Sequence, residues 1–182
     1  MKVNLPYFDR DGWIAAAVIW GTSFILGHVD VCLWWMGFMI GGACLLFFRD
    51  PERIAPSKKH VVVSPADGIV LKIAKVEPPA ELGIKGERTK ISIFMSVLNV
   101  HVNRTPVGGT VEKIIYTPGR FFNVTLDKAN EYNERQATFV KTEEGIEVVF
   151  VQIAGLIARR IRCDIQEGDK LELGQRVGII RF

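Results

Sequence analysis

The chain has 182 residues, enough for one domain with an appendage or two very small domains. A formal net charge of +3 leaves no strong basic footprint, so a nucleic-acid partner is not expected. Three cysteines, Cys32, Cys44 and Cys163, show no metal-ligand spacing; this argues against a metal site and a disulfide scaffold and points to a reducing compartment.

After a short polar start, residues 13–26 form an uncharged, largely apolar run, and residues 31–48, VCLWWMGFMIGGACLLFF, form a second. Gly27-His28-Val29-Asp30 separates them. A membrane-crossing helix needs ~20 apolar residues, which the second run approaches and the first does not. Three arrangements are open: two spanning helices, an interfacial or re-entrant hairpin, and a helical hairpin buried in a soluble core. Both runs are apolar on all sides, which favours the membrane. Asp30 requires the turn to reach water or headgroups. Arg49, Arg53, Lys58 and Lys59 follow the second run and place the rest of the chain on the cytoplasmic face.

Residues 49–59, with two prolines and mixed charge, read as a linker. From His60 onward the pattern changes to short β-rich runs with Gly and Pro turns. Strands are expected near residues 69–76, 91–102, 111–116, 137–141, 146–153 and 158–161. Residues 124–135 are the polar segment suited to a helical turn or loop. In residues 163–182, CDIQEGDKLELGQRVGIIRF, turns at Gly168-Asp169 and Gly174-Gln175 separate strands in the manner of hairpins. The last strand, 177–182, ends without a cap or tail, so further sequence is expected after Phe182, completing a sheet edge. The fold expected is mainly β, a compact barrel or sandwich of barrel-sandwich type, with an N-terminal apolar helical hairpin. Its divisions are residues 1–48, the membrane-associating hairpin; 49–59, the linker; and 60–182, the catalytic β region.

Few side chains have the character of a site. Asp67-Gly68 reads as a turn. His101 stands in VHVNR, and an unbroken strand would put it on one face with Asn99 and Asn103. That cluster suits a site, although a surface histidine is equally open. One such histidine, without a partner histidine or cysteine cluster, does not make a zinc centre. Phe121 and Phe122 follow Pro118-Gly119-Arg120 and could pack in the core or form a lip against lipid. Arg159, Arg160 and Arg162 form either a basic cluster for anionic headgroups or a solvated strand face.

Several stretches together resemble the phosphatidylserine decarboxylases in their short prokaryotic form. They are FFRDPERIAP, SPADGIV at residues 64–70, FMSVLNVHVNRTPVGG at 94–109, PGRFFNV, NERQATFV at 133–140, VQIAGLIARRI and GQRVGIIRF. They follow the family's order over nearly all of residues 47–182. The resemblance implies a lyase that decarboxylates phosphatidylserine, or a related serine phospholipid, to phosphatidylethanolamine. The electron sink implied is a pyruvoyl group, which takes the substrate amine as a Schiff base. In the family a Gly-Ser follows the closing strand, and self-cleavage there converts the serine to the pyruvoyl group of a short α chain. Phe182 then marks the processing-site end of a β chain, with the α chain as partner.

Residue by residue, the resemblance gives Asp67 a part in self-cleavage and His101 a part in proton transfer at the substrate. Where longer bacterial members carry a second histidine stands Arg104, which cannot act as an ordinary base and is suited to a phosphate or carboxylate. Asn103, Phe121 and Phe122 are further candidates for substrate contact. A membrane location, a serine phospholipid substrate and a homo-oligomer belong to the same expectation. The competing reading is a membrane-anchored barrel-sandwich adaptor without catalysis, since ADGIV and GDKLELGQRVG also resemble lipoyl-type domains. That reading lacks a lysine at a hairpin tip and a heptad run. A zinc peptidase on a related scaffold lacks ligands.

Overall fold

The computed structural model describes residues 7–58, 60–122 and 132–182. Most of the segment expected as a helical turn or loop, 124–135, lies outside them. The chain forms two compact units: residues up to Arg53 with Leu98–His101, and Ile54–Val97 with Val102–Phe182.

In the first unit, helices α1 (Arg10–Gly27) and α2 (Val31–Phe47) fold back on one another around His28–Asp30. Each begins at an aspartate whose carboxylate accepts a backbone N–H that the helix cannot satisfy itself. Asp9 Oδ1 takes Asp11 N–H at 3.0 Å, and Asp30 Oδ1 takes Cys32 N–H at 2.8 Å. Asp30 is thus the cap of α2 at an exposed turn. Strands β1 (Tyr7–Phe8) and β2 (Arg49–Asp50) pair antiparallel, so the first residues of the expected linker close the base of the hairpin.

Small residues fill the seam between the helices. Gly12, Ala16 and Ser23 on α1 and Gly37, Gly41 and Cys44 on α2 are the buried ones, with Phe47 at the end of α2. A Cβ on Gly37 would collide with Ser23 Oγ, and one on Gly41 with the Trp20 indole. The close approach lets Trp20 Nε1 donate to the Phe38 carbonyl across the hairpin at 3.2 Å. The large apolar side chains point outward; Ile25 is 68% and Met39 69% exposed. Among the described residues no helix is long and apolar enough to cross a membrane. The spanning pair allowed by the sequence is therefore corrected: α2 has 17 residues, and His28–Asp30 interrupts the apolar stretch.

The second unit is mainly β. Strands β3 (Ile69–Val76) and β4 (Arg88–Phe94) make a two-stranded antiparallel sheet. Strands β6 (Gly109–Thr117), β7 (Arg135–Lys141), β8 (Glu147–Ile153) and β10 (Lys170–Leu171) make a four-stranded sheet ordered β10-β6-β7-β8. Strands β5 (Val102–Arg104), β9 (Arg160–Cys163) and β11 (Arg176–Arg181) make the third, ordered β5-β11-β9. Among the described residues every strand ladder of this unit is antiparallel. Val107, Val111, Val140, Phe150, Leu171 and Val177 form one core, drawn from the four-stranded sheet, β11 and the turn after β5.

Two expectations are corrected here. Residues 91–102 are not one strand: β4 stops at Phe94, a turn follows at Val97-Leu98, and β5 starts at Val102. The run is apolar enough for a strand, but Leu98–His101 packs with the helical unit and breaks the ladder. The turns at Gly168 (φ 90°) and Gly174 (φ 77°) do form, yet β10 and β11 do not pair as a hairpin. β10 joins β6, and the chain changes sheet before β11, which lies between β5 and β9. The closing strand is thus central, not an edge: Val177, Ile179 and Ile180 are all buried.

Candidate active site

His101 is the most constrained of the candidate residues. It follows the turn after β4 and is only 4% exposed. The Phe47 ring stacks on its imidazole, with centroids 4.1 Å apart and planes 28° from parallel. Arg49 fastens this segment to the end of α2, its guanidinium donating to the carbonyls of Leu46 and Leu98. His101 Nδ1 lies 3.0 Å from the Asn99 carbonyl oxygen. A carbonyl can only accept, so the neutral ring carries its proton on Nδ1 and leaves Nε2 as the acceptor. Burial lowers the pKa from its ordinary value; the Asn99 bond opposes this and the Arg49 charge adds to it. Burial thus biases the ring toward its neutral form with Nε2 as acceptor, the state a proton acceptor requires.

The expected strand face of Asn99, His101 and Asn103 does not exist, because His101 is outside any strand. Val100, His101, Val102 and Asn103 are all buried, so polarity does not alternate along the chain. His101 is not a surface histidine. It precedes β5 directly, and its two neighbours along the chain belong to different units.

β5 carries Asn103 and Arg104. Asn103 Oδ1 accepts from Gln152 Nε2 at 2.9 Å, and Asn103 Nδ2 faces Met95 Sδ at 3.7 Å. Arg104 donates from Nη1 to the Gly174 carbonyl at 3.1 Å, while Thr105 exchanges backbone bonds with Gly174 and Gln175. These bonds hold the turn that leads into β11. On the same strand, Val102 pairs with Ile179 and Asn103 with Gly178. Phe182, half exposed, follows β11.

The other edge of β5 is taken by the segment before Asp67. Val63 N–H donates to the Pro106 carbonyl and Arg104 N–H to the Pro65 carbonyl, both at 2.9 Å. The Asp67-Gly68 hairpin turn is corrected: these residues form a bend running into β3 and join no two strands. Gly68 is required by proximity, since a Cβ there would meet the Phe94 carbonyl oxygen. The Asp67 bend and β11 therefore flank β5 on opposite sides.

Phe121 is partly buried and Phe122 is 38% exposed, so the pair is neither core nor free lip. Asn133, absent from the sequence-derived candidates, holds them. Its side chain is fully buried; Oδ1 accepts from Phe122 N–H at 2.8 Å, and Nδ2 donates to the carbonyls of Phe122 (2.9 Å) and Ala154 (2.8 Å).

A row of buried polar side chains was also missed. Glu134, Gln136 and Thr138 alternate along β7 and its approach, and Gln152 pairs with Gln136 across the ladder. Gln136 Nε2 and Thr138 Oγ1 have no hydrogen-bond partner. Gln152 connects the row to Asn103. Polar residues at inward positions of NERQATFV, where a core strand would carry aliphatics, were the available signal.

The family profile described as phosphatidylserine decarboxylase matches residues 40–182. A phosphatidylserine decarboxylase proenzyme of Rickettsia bellii (strain OSU 85-389) is 48% identical over 174 residues, covering 95% of this chain and 75% of the relative. The proenzymes of Rickettsia felis and Rickettsia prowazekii (strain Madrid E) are 48% and 47% identical over the same shares of each chain.

Proposed function

The chain belongs to the phosphatidylserine decarboxylase family, and on that premise we propose that it supplies the proton-handling residues of a pyruvoyl-dependent lyase converting phosphatidylserine to phosphatidylethanolamine. The observation that carries this reading is the match across residues 40–182, which contains every candidate site residue. The non-catalytic adaptor has nothing in its favour beside it.

The residues present fit a carbonyl electron sink. A buried imidazole, neutral and tautomerically fixed by Asn99, suits chemistry in which a proton is taken up and given back. A pyruvoyl group on the companion α chain supplies the carbonyl that accepts the electron pair left by departing carbon dioxide. His101 Nε2 takes a proton from the substrate's amine and returns one to the carbon that has lost its carboxylate. Asn103, held by Gln152, orients the headgroup. Asp67 serves self-cleavage from the bend beside β5. The Arg104 bond to Gly174 favours positioning of the turn before β11 over direct substrate contact. Phe121 and Phe122 contact the lipid.

The hairpin of residues 1–48 associates with the membrane surface without crossing it, and residues 49–59 link it to the catalytic region. Its small-residue seam and outward Trp, Phe, Ile and Met side chains support this, because lipid-facing helices pack through small residues. The catalytic region lies on the cytoplasmic side, as Arg53, Lys58 and Lys59 favour. The sheets form a barrel-sandwich, supported by the change of sheet between β10 and β11. A homo-oligomer remains part of the proposal on resemblance alone.

Cyanoborohydride added with phosphatidylserine should trap a covalent adduct on the companion chain, read by mass spectrometry. An adduct confined to this chain would overturn the assignment. His101→Ala should abolish turnover in processed enzyme, and Asp67→Asn should accumulate uncleaved precursor.

A further inference from the structure

Two surface loops of the β unit are joined by one buried residue. Asn133 bonds to both backbone groups of Phe122 in the Pro118–Phe122 loop, and to Ala154 at the start of the loop before β9. The second loop is a tight turn closed by Gly155 N–H to the Ala158 carbonyl at 2.8 Å, with Arg159 Nε donating to the Leu156 carbonyl at 2.8 Å. This conformation directs two adjacent large aliphatics outward: Leu156 is 54% and Ile157 53% exposed. Arg159 lies over the Phe121 ring at 5.8 Å, which ties cation and aromatic across the loops, and Arg120 lies over Phe122 at 6.0 Å within its own loop. Arg120, Arg159 and Arg160 are all exposed.

The exposed aliphatic pair sits at the tip of a hydrogen-bonded turn, with Arg159 and Arg160 following it in the chain and Arg120 on the linked loop. We propose that the Leu156-Ile157 tip is a membrane-docking element of the β unit: the two aliphatics enter the acyl boundary of an anionic bilayer while Arg120, Arg159 and Arg160 take up lipid phosphates. The charge decides the occupant. Several exposed arginines beside an apolar tip, with no acidic residue in 118–122 or 154–162, complement an anionic lipid surface. The inference rests on the reading above only in that the substrate resides in a membrane.

The test uses the processed enzyme with its companion chain. A nitroxide is attached at position 157 through Ile157→Cys in a Cys32→Ser, Cys163→Ser background. On addition of phosphatidylcholine vesicles containing phosphatidylglycerol, its oxygen accessibility should rise and its accessibility to an aqueous nickel chelate should fall. Leu156→Ser/Ile157→Ser should weaken vesicle partition about tenfold. Arg159→Gln/Arg160→Gln should remove the preference for anionic over pure phosphatidylcholine vesicles. Decarboxylation of a monomeric short-chain serine phospholipid should be unchanged in the aliphatic variant. A label that stays aqueous overturns the proposal. So does partition that the aliphatic variant leaves unchanged, or lost turnover of the monomeric substrate, which would place the tip in the catalytic centre or at the companion chain. If the unmutated enzyme does not decarboxylate that substrate, the functional reading fails while the label still decides the docking element.

Discussion

The Phe47 ring lies face to face with the His101 imidazole, 4.1 Å between centroids, and thereby joins the last residue of the second helix to the candidate base. The helical hairpin accordingly bears on the candidate base. Its final turn, with Arg49 bound to the Leu98 carbonyl, shapes the segment from which the base projects.

Shortening that ring should therefore damage catalysis from inside the helical unit. Phe47→Ala removes a side chain only 4% exposed, and such truncations cost about 3–5 kcal/mol. Phe47→Leu keeps most of the cover and should retain activity. In folded Phe47→Ala, the acid limb of the pH–rate profile should move toward the ordinary histidine pKa, because water re-enters beside the ring. An unmoved limb would detach Phe47 from His101.

The lowered pKa of His101 has a consequence for stability. The unfolded chain binds the proton at the ordinary value, ~6.5, while the folded chain resists it until lower pH. The stability held by the neutral ring is full above that value and is lost as pH falls from it toward the folded pKa. Urea midpoints should drop between mildly basic and mildly acidic pH, and His101→Gln should flatten that part of the drop. Identical pH dependence in the variant would contradict the burial of a neutral ring.

Asn133→Ala should be among the costly single changes. It leaves Phe122 N–H and the carbonyls of Phe122 and Ala154 without their partner, in an interior where a lost hydrogen bond costs about 1–3 kcal/mol. A fall of at least about 2 kcal/mol in unfolding free energy is expected. A near-native urea midpoint would show that the two loops do not depend on it.

Thr138→Val should behave in the opposite way. The hydroxyl is buried and unpartnered, so removing it forfeits no bond and relieves a desolvated group. Stability unchanged or raised by up to about 1 kcal/mol is expected. A clear loss would reveal a partner for this hydroxyl, such as an ordered water.

Much of the architecture was legible in the residues. Two apolar runs separated by Gly-His-Val-Asp gave the hairpin, and β-branched runs between Gly and Pro turns gave the strands from Ile69 onward. These features are local, because periodicity and turn chemistry act over a few residues. The apolar run of 91–102 misled for the same reason: nothing local distinguishes a ladder partner from a segment that leaves to pack with helices.

What the sequence by itself determined is the chemistry available: one well-placed histidine, an aspartate before a glycine, and a closing strand too apolar for the surface. What only the tertiary structure decided is their state. Burial lowered the pKa of the imidazole against the opposing Asn99 bond, and that bond left Nε2 as the acceptor. Pairing on both sides made β11 central, and Asn133 fixed where the exposed loops stand. Those outcomes depend on contacts between residues far apart in the chain, and desolvation and long-range hydrogen bonding leave no mark on local pattern.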